Sequence, residues 1–105
     1  MTTQVIAGSE VAVDDEGFMT DPNQWSEEIA GELAKNIAID TLSDDHWKVI
    51  KWLREDFEAE GETATLRRVS TMGGVPTKQL YTLFPKKPAK KMSYVAGLPK
   101  PKGCV

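Results

Sequence analysis

Leu42-Ser43-Asp44-Asp45-His46-Trp47 decides how this chain folds, because it reads as a helix start and as little else. Ser43 can accept from the exposed N–H groups of a first turn, Asp44 and Asp45 suit the positive end of the helix dipole, and Leu42 can staple onto Trp47. Trp47, Ile50, Leu53, Arg54 and Phe57 follow at helical spacing, with Val49 and Trp52 widening the stripe. Gly61 supplies the stop, so the helix is predicted to end at Glu60. His46 falls in its first turn, where a capping or core hydrogen bond is the expected role.

Upstream, Pro22 favours a helix entry, and Trp25, Ile29, Leu33 and Ile37 recur every four residues beside Ala30, Ala34 and Ala38. The spacing predicts a helix over 22–38. Before it, Val5 to Val13 shows short apolar alternation, and Asp14-Asp15-Glu16-Gly17 supplies turn residues ahead of Phe18-Met19. A small N-terminal hairpin turning at 14–17 is the reading. Downstream, a short helix is predicted over 65–71, with Leu66, Val69 and Met72, and Gly73-Gly74-Val75-Pro76 interrupts it. Thr77 can cap a fourth segment whose Leu80, Tyr81 and Phe84 face the core, and Pro85 stops that segment. Pro88 opens a further turn or helix through Tyr94. After Gly97 the alternating Pro99 and Pro101 favour an extended tail.

Composition narrows the function classes. A chain of 105 residues suits one domain, and 40% hydrophobic with 28% charged residues excludes wholesale disorder. No apolar run reaches transmembrane length, and Met1-Thr2-Thr3-Gln4-Val5 lacks the basic and apolar regions of a signal peptide, so a cytoplasmic location without membrane contact is expected. A net charge of −3 offers phosphate backbones no global attraction, and direct nucleic-acid binding is not expected. Charge is nevertheless segregated. Acidic residues dominate through Glu62, while Lys86, Lys87, Lys90, Lys91, Lys100 and Lys102 gather near the C-terminus, as a solvated surface or as a face for an acidic partner or tRNA.

The chemistry-bearing residues are few. Cys104 is the sole cysteine, so an internal disulfide is impossible and any covalent sulfur chemistry is intermolecular. One cysteine and one histidine make no metal constellation, and neither a metal nor a cofactor is expected. Trp25, Trp47 and Trp52 belong to amphipathic stretches and read as packing. Arg54 reads as a structural partner of a carboxylate, and Arg67 with Arg68 as solvated helix surface or as an anion contact beside Gly73-Gly74.

Leu83-Phe84-Pro85, Pro88-Ala89-Lys90, Ala96-Gly97-Leu98-Pro99-Lys100-Pro101 and Gly103-Cys104 together resemble the small family that includes the DsrC sulfur-trafficking protein and TusE, the sulfur-relay protein of tRNA thiolation. Asp15-Glu16-Gly17-Phe18, Trp25, Glu28, His46-Trp47, Leu53-Arg54 and Phe57 extend the resemblance over nearly the whole chain. It implies an α+β, mainly α fold: a small helical bundle with a helix-turn-helix element, an N-terminal β-hairpin and a flexible C-terminal arm over 97–105, all in a single domain 1–105. It implies Cys104 as the reactive residue. Two departures stand out. Ser93, which by itself reads as a solvent-facing or helix-cap residue, occupies the position where disulfide-cycling relatives carry a second cysteine, and the 73–79 loop is shorter than is usual in the family.

The expected function is that of a sulfurtransferase-type persulfide carrier in a cytoplasmic relay feeding tRNA 2-thiouridine synthesis. Its partners are then an upstream persulfide donor protein and a downstream tRNA thiolase. From Leu98 to Cys104, six extended steps reach about 20 Å, far enough to enter a neighbour's cleft. Two alternatives remain open. One is a substrate or regulatory partner of a dissimilatory sulfite reductase. The other is a DNA-binding helix-turn-helix within Asp44 to Met72, with Arg67 and Arg68 as phosphate contacts.

Overall fold

The computed structural model describes residues 2–101. Two strands come first, β1 (Thr2–Ile6) and β2 (Ser9–Val13), followed by α1 (Glu27–Asn36), α2 (Asp44–Glu60), α3 (Leu66–Met72), α4 (Thr77–Leu83) and α5 (Pro88–Val95). The mainly helical architecture, with an N-terminal hairpin and a helix-turn-helix-like arrangement, agrees with the sequence reading, and α3 and α4, joined across 73–76, pack together. Among the described residues no helix is long and apolar enough to cross a membrane.

The hairpin turns earlier than predicted. β1 and β2 pair antiparallel with Ile6 opposite Ser9, leaving Ala7 and Gly8 as a two-residue loop with both φ values positive. That conformation matches the twist of the flanking strands. The predicted turn at 14–17 also forms, but it closes a single bridge between Val13 and Met19. There the Asp14 carboxylate accepts the N–H groups of Glu16 and Phe18.

Helix 22–38 of the sequence reading is divided. Pro22–Gln24 makes one turn of 3-10 helix, Trp25 is extended, and Ser26 starts α1 by accepting the N–H of Ile29. A serine cap outcompetes continuation from Pro22 because it satisfies a donor that the new helix leaves open. The break frees Trp25 from helical geometry.

α2 matches its expected limits. The Ser43 hydroxyl accepts the N–H of His46, His46 Nδ1 accepts the N–H of Ser43 at 3.0 Å, and Gly61 terminates the helix. Since Nδ1 accepts, Nε2 carries the proton and donates to the Leu83 carbonyl at 2.8 Å. His46 therefore ties the start of α2 to the end of α4, and its ring meets Phe84 edge to face at 5.1 Å.

The main core joins Ala30 and Ala34 of α1, Ile50 and Leu53 of α2, Val69, Leu80 and Phe84, and Met92 and Val95 of α5. A second cluster, Ile6, Val11, Val13, Met19, Ile29 and Leu33, fixes the hairpin to α1. Trp25 and Tyr94 pack against both clusters and weld them together. Each large side chain so buried contributes about 1.5–3 kcal/mol. Two local expectations differ. Tyr81 is half exposed and does not face the core, and Pro76, with no side-chain bond, takes the cap position expected of Thr77.

Candidate functional site

The site is assembled where α5 ends and the tail begins. The N–H of Gly97 donates to the Tyr94 carbonyl and the N–H of Leu98 to the Ser93 carbonyl, which closes α5 with the paired bonds of a Schellman turn. Gly97 has φ +71°, a conformation that only glycine adopts without cost. Leu98, the next residue, is fully buried in the main core. The chain leaving α5 is thus plugged into the body rather than released from it at Gly97.

Side chains from four distant segments then hold successive groups of this root. Trp25 Nε1 donates to the Val95 carbonyl at 2.9 Å. Arg54, on α2, donates to the Ala96 carbonyl at 2.7 Å and to the Pro22 carbonyl at 2.9 Å. Its guanidinium also lies over the Trp25 ring, 4.2 Å from the centroid, a cation–π geometry. Thr63 Oγ1 donates to the Pro99 carbonyl at 2.8 Å, and Lys100 pairs with Glu16 at 3.0 Å. Pro101 is buried.

Arg54 thus serves carbonyl oxygens, not the carboxylate expected from the sequence. Partial burial lowers its pKa from the ordinary value, opposed by the nearby charge of Glu58. A guanidinium remains charged under all physiological conditions, so both carbonyls keep an ionised donor.

Other residues named from the sequence are placed elsewhere. Arg68 forms a two-pronged contact with the Asp56 carboxylate, its shorter bond 2.8 Å, and approaches Glu60. Hydrogen bonding to Asp56 raises the Arg68 pKa above its usual value. An arginine so neutralised is a poor phosphate contact, which weighs against the DNA-binding alternative. Ser93, read as solvent-facing or a helix cap, is completely buried, and its hydroxyl donates to the Ala89 carbonyl at 2.8 Å. Trp25, Trp47 and Trp52 all pack against the main core, as expected. The expectation placed on Cys104 falls outside the described residues.

Sequence reasoning did not find the roles of Thr63, Glu16 or the Trp25 to Gly97 contact. One signal was available: Ala89, Ser93, Ala96 and Gly97 form a run of small residues through α5 and the turn that closes it, the mark of a close approach by neighbours.

Comparison with known proteins covers the same span. The family model described as DsrC like protein matches residues 5–105. A sulfurtransferase TusE of Escherichia coli is 38% identical over 109 aligned positions, which take in 96% of this chain and 98% of that protein. Among solved structures, one titled dissimilatory sulfite reductase I (DsrI) superposes with TM-score 0.87 at 36% identity, over 99% of this chain and all of the other. The Pyrobaculum aerophilum DsrC/gamma subunit of dissimilatory sulfite reductase gives TM-score 0.81 at 36% identity, over 99% and 95% of the two chains.

Proposed function

This chain belongs to the DsrC-like protein family, and from that membership we propose that it carries sulfur as a persulfide on Cys104 in a cytoplasmic relay serving tRNA 2-thiouridine synthesis. The observation that carries the reading is the anchoring of the chain through Pro101, three residues before its only cysteine. A body that grips its tail so close to the thiol limits how far the sulfur can lie from the root.

The chemistry asks for a thiolate and access. The Cys104 thiolate attacks the outer sulfur of a donor persulfide; a new S–S bond forms, the donor's S–S bond breaks, and the donor departs as its own thiolate. Cys104 then bears the persulfide. A recipient thiolate repeats the exchange in the opposite sense, so no external oxidant or reductant enters either step. Serine at position 93 has no sulfur to resolve that persulfide internally, which favours onward transfer to a partner over a disulfide cycle within the chain.

The anchored root shortens the expected reach. Three steps from Pro101 to Cys104 span about 10 Å at full extension, half the distance counted from Leu98. The donor and the thiolase must therefore seat close to the tail root.

The test is intact-mass measurement after incubation with glutathione persulfide. Wild type should gain the mass of one sulfur atom, and Cys104→Ser should not; equal gain by both variants would refute the assignment. In an Escherichia coli strain lacking its own TusE, the chain should restore 2-thiouridine to tRNA and the serine variant should not. A second reading, substrate or partner of a dissimilatory sulfite reductase, is favoured by the two structural likenesses. Sulfur loading without restored thiouridine, together with Cys104-dependent binding to a purified sulfite reductase, would select it.

A further inference from the structure

Beside the tail root lies an open groove of about 390 Å³. Its wall is apolar, made by Phe18, Ile37 and the ring of Tyr94, with Phe18 and Tyr94 packed edge to face at 5.8 Å. Tyr94 is held in place by Asn36, whose side-chain amide donates to its hydroxyl at 3.0 Å. Lys87, Lys90 and Lys91 line the remaining side. Lys91 is tied to the Pro85 carbonyl, whereas among the described residues no carboxylate comes within ion-pair distance of Lys87 or Lys90. Among the described residues the one acid lining the groove, Glu16, is already held by Lys100.

We infer that this groove receives an acidic segment of the protein that exchanges sulfur with Cys104, an apolar side chain of that segment lying against Phe18 and Tyr94 while its carboxylates meet Lys87 and Lys90. The inference rests on the carrier reading above and names the surface that such a carrier uses.

Position, charge and shape each contribute. Glu16 belongs both to the groove and to the Lys100 pair, so the tail root runs past the groove's edge. Cys104 is four residues beyond Lys100, about 13 Å when extended, so a partner that takes the thiol into its cleft also covers this surface. The rest of the chain is acidic enough to leave a net charge of −3, which makes this pair of ammoniums, without a carboxylate partner among the described residues, an orienting feature for an acidic neighbour. Aromatic rings beside those ammoniums suit a peptide with a bulky side chain. A nucleic-acid backbone would need a longer basic track than Lys87 and Lys90 on an acidic body.

Amide shifts of the isotope-labelled full chain decide the matter, during titration with a polyglutamate peptide carrying one central phenylalanine and, in parallel, with oligouridylate RNA of equal charge. The peptide should shift Phe18, Lys87, Lys90 and Tyr94, weaken with added salt, and lose about tenfold in affinity for Lys87→Glu/Lys90→Glu. The milder Lys87→Gln/Lys90→Gln pair should fall between. Shifts centred elsewhere, undiminished peptide binding by the charge-reversed chain, or RNA binding the groove at least as tightly would overturn the inference. Loading of Cys104 from glutathione persulfide should be the same in wild type and both lysine variants. Failure of wild type to load removes the carrier reading, while the titration still judges the groove.

Discussion

Gly97 lies so close against the indole of Trp25 that a Cβ added to it would overlap the ring, and its φ of +71° is itself one that other residues resist. Two penalties thus coincide at one position. Gly97→Ala should lose about 3 kcal/mol, the left-handed cost plus the displacement of a packed aromatic. Gly74, at the same φ but with open space around it, separates the two: Gly74→Ala should lose only about 1–2 kcal/mol. Urea unfolding measures both, and equal losses would contradict the close contact.

Arg54 should be the polar residue of the root least open to replacement. Arg54→Ala strips the Ala96 and Pro22 carbonyls of their charged donor and should cost about 3 kcal/mol. Arg54→Met keeps an apolar stem against Trp25 and should cost somewhat less, though still more than about 1 kcal/mol. A methionine variant as stable as wild type in calorimetry would show that the two bonds contribute nothing net.

His46 joins two elements through opposite ring nitrogens, so its substitutions should fall in order. His46→Ala loses the return bond to Ser43 and the link to Leu83, at about 2 kcal/mol. His46→Gln can still reach back to the Ser43 N–H and should lie midway. If glutamine and alanine unfold at the same denaturant concentration, the return bond is idle.

Ser93 should prove chemically silent. Its hydroxyl is satisfied within α5, so Ser93→Ala should cost no more than about 1 kcal/mol and leave persulfide loading of Cys104 at the wild-type level. A drop in loading without a drop in stability would give the serine a part in the transfer.

The limits of α2 were legible in the sequence because every local signal there agrees: cap, dipole-matched acids, periodic apolar face and terminal glycine. The hairpin was harder. Asp14 to Gly17 has stronger turn composition than Ala7-Gly8, yet only the earlier loop lets β1 and β2 pair over their full length. Helix 22–38 was overextended because every-fourth-residue spacing continues through Trp25, although Ser26 restarts the ladder. Ser93 was misjudged because a serine that bonds its own helix can be buried at little cost, and the run of small residues it shares with Ala89, Ala96 and Gly97 was not weighed. Family motifs pointed to the tail and to Cys104, but the grip of Thr63, Arg54 and Glu16 on residues far along the chain is a tertiary fact without local periodicity.

Trp25 is stacked beneath a guanidinium, bonded to Val95 and pressed against Gly97, so it doubles as an optical gauge. In a chain whose two other indoles are replaced by phenylalanine, its emission would change if the tail root were pulled from its seat. Seated and withdrawn forms during sulfur hand-off could then be followed in real time, with no dye attached near the thiol.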